Sequence, residues 1–326
     1  MLICISPCTT PFTQYFKQPT RVVTRISNSL ARIEIPVVLR TPLFSVFSYV
    51  YNVKVEDMTH NFEYYTTLQD FFTRKVKERS FTTNPHTLLS PADSKVLSIS
   101  PIHSNSVYMI KGKNYSLCEF YNGDPNCQFS DEEIEKLFKR NGKEDSNEVN
   151  TKTNTNKNVL SSKKETVIYS IIFYLAPGDY HRFHSPSKLV LTEGRHIPGV
   201  LKSVSKVALR YLKKVYEKNE RVLIDGEWEH GRMTLGFIGA MNVGSIVLNF
   251  DKTLHTNSFS SKNKLHKAIK KDYKGIEIGM GEELGRFNFG SSVLMLVEVP
   301  KAFKFNIKDG DTVRYGDTIG QVTQQE

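Results

Sequence analysis

The chain has 326 residues, enough for one large domain or two small ones with a substantial core, and carries a formal net charge of +10. Basic proteins are often nucleic-acid binders, but here the charge is spread along the chain, which equally suits a surface drawn to anionic lipid. Cysteines stand only at positions 4, 8, 118 and 127, with no Cys-x-x-Cys pair, so neither a disulfide framework nor a zinc site is expected.

The first acidic residue is Glu34, preceded by Lys17, Arg21, Arg25 and Arg32 among several Ser and Thr. Residues 1–40 thus have the acid-poor, hydroxyl-rich composition of an organelle targeting or membrane-associating segment, or of a disordered basic tail. Ile35 to Tyr51 is apolar but interrupted by Pro36, Arg40 and Pro42. No run reaches the ~18 residues of a spanning helix. Two readings stay open for it. It lies on a membrane with Phe44, Phe47, Tyr49 and Tyr51 as anchors, or it packs on the core as a hydrophobic arm.

Residues 60 to 78 predict a helix with Leu68, Phe71, Phe72 and Val76 on one side. Short β-rich segments follow at Lys95 to Ile99, Val107 to Lys111, Val167 to Leu175 and Leu189 to Leu191. Asp131 to Lys139 predicts a helix capped by Ser130. Asn141 to Lys164 is Asn, Lys, Ser and Thr with few apolar residues, the composition of a disordered insertion. Beyond it, Val200 to Glu217 is partly helical, and Val222 to Asp225, Arg232 to Ile238 and Ser245 to Phe250 return to strands. Lys308 to Gly320 spaces glycines and apolar residues like the barrel-sandwich hairpin of biotinyl and lipoyl carriers. No acceptor lysine sits at its tip, so it is read as scaffold. The expected class is α+β, a β-rich single domain over 41–326 with peripheral helices.

Three segments carry chemistry. Gly285-Arg286-Phe287-Asn288-Phe289-Gly290-Ser291-Ser292-Val293 sets a Gly-Ser bond between two apolar runs. A serine hydroxyl beside an unhindered glycine carbonyl can attack it and break its own peptide bond. Gly178-Asp179-Tyr180-His181-Arg182-Phe183-His184-Ser185-Pro186 holds two histidines, residues able to take a proton near neutrality. Ser90-Pro91-Ala92-Asp93 supplies a carboxylate able to orient one of them. With Lys111 to Leu117, Asn219-Glu220-Arg221 and Gly239 to Ile246, this series resembles the phosphatidylserine decarboxylases. Their processing site is usually Leu-Gly-Ser-Thr, so Phe289 and Ser292 are departures, as is Ser94 for the glycine that often follows the aspartate.

The resemblance implies a self-cleavage triad of Ser291, His184 and Asp93. Ser291 attacks the Gly290 carbonyl, giving a β chain that ends at Gly290 and an α chain, 291–326, whose first residue becomes a pyruvoyl group. That covalent cofactor would condense with the amine of phosphatidylserine and accept electrons as carbon dioxide leaves, yielding phosphatidylethanolamine. His181 is the candidate for handling the substrate carboxylate or a proton in decarboxylation. Arg182 and Tyr180 either contact the lipid headgroup or pair within the fold. His181 and His184 lack a third ligand at recognisable spacing, so no metal is expected. The partners implied are phosphatidylserine and a membrane surface, mitochondrial inner membrane or another endomembrane, with a homodimer by family analogy and no nucleic acid. Rival readings are a serine hydrolase, against which the missing Gly-x-Ser-x-Gly elbow counts, and an inactive scaffold.

Overall fold

The computed structural model describes residues 20–102, 106–109, 113–138, 166–240, 245–257, 267–288 and 292–323. The expected insertion at 141–164 and the pair Gly290-Ser291 lie outside the described residues.

Helix α1 (Thr20–Ala31) leads to α2 (Val37–Tyr51), which ends on Asn52 in the left-handed region at φ 55°. Pro42 lies inside α2 and removes one rung of its ladder. One face is buried, where Phe44 stacks on Phe71 at 4.4 Å between ring centroids and joins Met58 and Tyr65 in a small core. The other face is bare, with Val38 81 % and Tyr49 90 % exposed. The segment is therefore an arm on the core along one face and open along the other. Among the described residues no helix is long and apolar enough to cross a membrane.

The helix expected over 60–78 is much shorter: α3 spans only Leu68–Phe72, capped by Thr67, whose hydroxyl accepts from Asp70 N at 3.0 Å. Tertiary contacts override the helical period here. Arg74 reaches away to donate to the Gly178 carbonyl at 2.6 Å, and Val76 bridges to Met58 as a strand would.

Strands then dominate. β1 (Thr87–Leu89), β2 (Ser94–Pro101) and the antiparallel pair β3 (Ser106–Met109) and β4 (Lys113–Ser116) precede α4 (Leu117–Asn122) and α5 (Asp131–Phe138). Ser130 caps α5 as expected, in a reciprocal box: Glu133 N donates to Ser130 Oγ at 3.2 Å and Ser130 N to Glu133 Oε2 at 2.8 Å. β5 (Thr166–Tyr174), β6 (Arg182–His184) and β7 (Leu189–Ile197) lead to the short helices α6 (Lys206–Tyr211) and α7 (Val215–Lys218). β8 (Arg221–Trp228), β9 (Gly231–Ile238), β10 (Ile246–Leu248), β11 (Ile269–Asp272) and β12 (Glu277–Ile278) follow. The chain closes with β13 (Glu283–Phe287), β14 (Ser292–Pro300), β15 (Phe303–Phe305), β16 (Thr312–Val313) and β17 (Thr318–Val322).

The main sheet has nine strands, ordered β11-β7-β8-β9-β14-β5-β2-β16 with β12 also on β7. β14 lies near its centre, antiparallel to β5 and β9, with every residue but Pro300 buried. Its unbroken run Val293-Leu294-Met295-Leu296-Val297 suits a strand covered on both faces. A second sheet, β10-β13-β6, brings the paired-histidine segment against the strand that leads to the Gly-Ser bond. The C-terminal strands do not stay together: β17 pairs with β1 and β15, whereas β16 joins β2 in the main sheet. The domain is β-rich α+β, as expected.

The cysteine reading needs correction. Cys118 and Cys127 form a disulfide, with Cα atoms 5.7 Å apart. α4 ends at Gly123 in the left-handed region (φ 78°), which turns the chain back and brings the two sulfurs together. A nine-residue separation without a Cys-x-x-Cys signature carries no hint of that reversal.

Candidate active site

His184 closes β6 and is 8 % exposed. Its Nδ1 lies 2.8 Å from the Gly281 carbonyl oxygen, an acceptor only, so the ring proton sits on Nδ1. Nε2 is then the basic nitrogen, and the Tyr180 hydroxyl donates to it at 3.0 Å. Burial pulls the His184 pKa down, and burial pushes that of Tyr180 up, so both are neutral at neutral pH. The imidazole also stacks on the Tyr315 ring, 4.1 Å between centroids and 11° from parallel.

Asp93 meets the same tyrosine from another side. Its Oδ1 accepts the Tyr315 backbone N–H at 2.8 Å, and both its oxygens take the guanidinium of Arg79, at 2.5 and 3.0 Å. Arg79 lies over the Tyr315 ring, Cζ 4.5 Å from the centroid. The fold thus brings Asp93 and His184 together around Tyr315. Among the described residues, no hydrogen bond joins the two directly.

His181 is fully buried three residues earlier. Its Nδ1 donates to the Asp179 carbonyl at 2.8 Å, and its ring packs on Phe72 at 4.0 Å between centroids. Nε2 is buried and has no hydrogen-bond partner among the described residues. Burial lowers the His181 pKa to about 3, with the Asp179 carbonyl opposing and nearby Arg74 reinforcing. The residue is held neutral, with a lone pair free on Nε2. Tyr180 and Arg182, the alternatives left open between headgroup and fold, pair within the fold: Arg182 donates to Glu283 Oε1 at 2.8 Å and to the Thr73 carbonyl at 3.0 Å.

The position of the Gly-Ser bond is bracketed. The Phe287 N–H donates to the His181 carbonyl at 2.9 Å, at the end of the β6–β13 pairing. Asn288 is tied to Ser245 through its backbone N–H, at 3.1 Å, and its side-chain amide. The chain is described again from Ser292, which opens β14 opposite Tyr174 and Ile238. Phe289, Gly290 and Ser291, which complete this junction in sequence, lie outside the described residues.

A cavity of about 520 Å³ opens beside it, walled by Leu30, Phe47, Tyr51, Phe72, Tyr174 and Ala240 among others. Phe72 covers His181 and Tyr174 faces Ser292 across the sheet, so the cavity runs from the helices α1 and α2 to the junction. Its lining is mostly apolar, fit for a hydrocarbon-bearing ligand.

Sequence reasoning missed four contributors. Arg79 and Tyr315 lie outside the chemistry-bearing motifs, and Tyr315 sits between β16 and β17, which join different sheets and form no hairpin with each other. Gly281 acts through its backbone, and Phe72 was read as a core position on a long helix. Only Gly281 left a signal in the sequence: Gly279-Met280-Gly281 marks a turn, and the structure places Gly281 at φ 74° just before β13.

Comparisons with known proteins identify the family. A family profile described as phosphatidylserine decarboxylase matches residues 68–321. A mitochondrial phosphatidylserine decarboxylase proenzyme of Cricetulus griseus is 35% identical over 318 residues, covering 94% of this chain and 73% of its own length. The Caenorhabditis elegans mitochondrial proenzyme is 31% identical, over 94% of this chain and 72% of its own. In Saccharomyces cerevisiae, the mitochondrial proenzyme 1 is 29% identical over 96% of this chain and 74% of its own. The chain belongs to the phosphatidylserine decarboxylase family.

Proposed function

We propose that this protein converts phosphatidylserine to phosphatidylethanolamine with a pyruvoyl group made from its own Ser291, after autocatalytic scission of the Gly290–Ser291 bond. The observation that carries the reading is the fully buried Nε2 of His181, which has no hydrogen-bond partner among the described residues, on a segment whose backbone pairs with the strand leading to that bond. A buried polar atom left without a partner is costly unless a ligand or reacting group engages it.

In self-cleavage, His184 is the base. Its Nδ1–H is tied to Gly281, so Nε2 is the nitrogen that takes up the proton; the Tyr180 hydroxyl already donates to that lone pair, so it would pass its own proton to Nε2 as it accepts the one from the serine. Asp93 contributes negative charge near the imidazolium that forms. In decarboxylation the pyruvoyl group would supply the electron sink. His181 would handle the proton near the α-carbon, while Phe72 keeps water from the departing carboxylate. The residues fit such a group: a free nitrogen, an apolar wall, and a chain junction where the new terminus would lie.

The apolar cavity suits acyl chains, and the bare faces of α1 and α2 suit the interfacial layer of a membrane. The basic, acid-poor composition of 1–40 and the mitochondrial names of the relatives support a mitochondrial membrane as its address.

Intact mass spectrometry of the full chain tests the proposal. A fragment beginning at residue 291 with a pyruvoyl mass is expected; a single uncut chain would overturn it. His181→Ala should be cut normally yet release no carbon dioxide from phosphatidylserine, and normal turnover would remove His181 from the reaction.

A further inference from the structure

Three planar groups are layered beside the processing base. The Arg79 guanidinium and the His184 imidazole each lie within 4.5 Å of the Tyr315 ring centre. Two planar groups cannot share one face of a phenol at those distances, so they occupy opposite faces. Arg79 is itself fixed at its rim, bidentate on Asp93 and 3.2 Å from Asp57 Oδ2, and the Asp93 carboxylate holds the Tyr315 backbone. A bidentate fork restricts rotation in a way that a single ammonium contact does not.

We propose that Arg79 is a positioning residue for self-processing: by clamping Asp93 and Tyr315 together it sets the plane of the His184 ring and the electrostatic environment of that base. The proposal rests on the reading of Ser291 as nucleophile and His184 as its base. It gives the aspartate a role that needs no direct bond to histidine. Asp93 anchors the arginine and the Tyr315 backbone, while the Gly281 carbonyl fixes the tautomer.

The charged and titratable groups facing His184 are Tyr180, Tyr315, Asp93, Glu283 and Arg182, with Arg79 behind the phenol. Asp93 and Glu283 favour the imidazolium, and Arg182 opposes it. Arg79, paired with Asp93, offsets part of its charge. Without Arg79, the uncompensated carboxylate would raise the proton affinity of His184. Since the base must be neutral to act, the acid limb of the processing rate would move to higher pH.

The test uses the full chain made by cell-free translation and chased in buffers across the neutral range, following the fragment that begins at residue 291. Arg79→Ala should slow cleavage by roughly 10- to 100-fold, the usual cost of losing a contact that orients a reacting group. Its acid limb should lie at higher pH than in the parent chain, and added guanidinium ion should restore part of the rate. Arg79→Lys, which keeps charge but not the fork, should fall between the two. Wild-type rate and pH profile in Arg79→Ala would overturn the proposal. So would a uniform slowing with no shift of the limb and no rescue, which is what mere loss of packing gives. If Arg79→Ala does not fold, as judged by its melting, Arg79→Lys decides: wild-type cleavage and an unmoved limb would overturn the clamp. Ser291→Ala run alongside separates the two levels. Cleavage in that variant, or none in the parent chain, would sink the nucleophile assignment and not the geometry around Arg79.

Discussion

His181 and Arg74 share one acceptor: His181 Nδ1 and Arg74 Nη2 both donate to the carbonyl oxygen of Asp179, at 2.8 and 3.3 Å. The Asp179 side chain turns the other way and accepts the Ala176 N–H at 2.7 Å. One residue therefore fixes the histidine with its backbone and stabilises the preceding turn with its carboxylate, and both groups are shifted by the same burial.

Those shifts have opposite signs. Burial lowers His181 to about 3, so between that value and the ordinary 6.5 the unfolded chain binds the extra proton and stability falls as pH drops. Burial, with Asp93 adding, raises Asp179 to about 6, so between 3.8 and 6 the folded chain binds the extra proton and stability rises as pH drops. From about pH 6 to 4 the two nearly cancel. Asp179→Asn removes the second and should steepen the acid loss by about 1.4 kcal/mol per pH unit. Urea unfolding at several pH values measures this, and parallel curves for parent and variant would refute it.

Gly281 holds the His184 tautomer from a conformation other residues resist. Its φ is 74°, and a Cβ there would come within 2.1 Å of the Phe81 ring. Gly281→Ala should displace the carbonyl, cost roughly 1–3 kcal/mol of stability and slow the appearance of the 291-start fragment. Unchanged cleavage kinetics would show that the carbonyl is not what orients the base.

The Cys118–Cys127 disulfide closes a short loop around Gly123 beneath α4. Cys127→Ser should lower stability by about 2–3 kcal/mol in the absence of reductant, and by almost nothing once the parent chain is itself reduced. Denaturant titrations with and without reductant supply the comparison. An equal deficit in both would mean that the serine, not the lost cross-link, is responsible.

The bare face of α2 offers a separate handle. Val38→Glu together with Tyr49→Glu should leave the melting temperature within about a degree or two, since neither side chain is buried. Sedimentation with anionic phospholipid vesicles should fall by an order of magnitude or so, because charge replaces two interfacial anchors. Undiminished binding would place the lipid contact elsewhere.

How much was legible depended on whether a residue acts through its own pattern or through distant partners. β5 was readable, expected over Val167 to Leu175 and found over Thr166–Tyr174, because a strand largely covered on both sides needs a near-continuous apolar run. The Ser130–Glu133 box was readable because both members lie within one turn. Asn219-Glu220-Arg221 could be noted but not understood: Arg221 is fully buried and donates to the carbonyls of Phe120, Glu119, Glu217 and Asn219, partners gathered from separate elements. The helix over 60–78 is cut short because its flanks are held otherwise: Phe62–Tyr64 forms a separate 3-10 turn, and Arg74, beyond α3, is tied to the Gly178 carbonyl. Arg79 and Tyr315 were hidden for a similar reason: a stack of an arginine, a tyrosine and a histidine from three remote segments leaves no periodic trace.

The seating of β14 has a consequence for what scission leaves behind. A break just ahead of Ser292 would leave that strand flanked by β5 and β9, with β16 and β17 lodged in two different sheets. The small piece would be woven into the large one and could leave only if the whole domain came apart. Before the break, an unfolded molecule recovers this strand within one chain, at a rate independent of protein concentration. Afterwards it must recapture it from solution, so refolding of the cut form becomes a second-order process and dilution alone makes its unfolding irreversible.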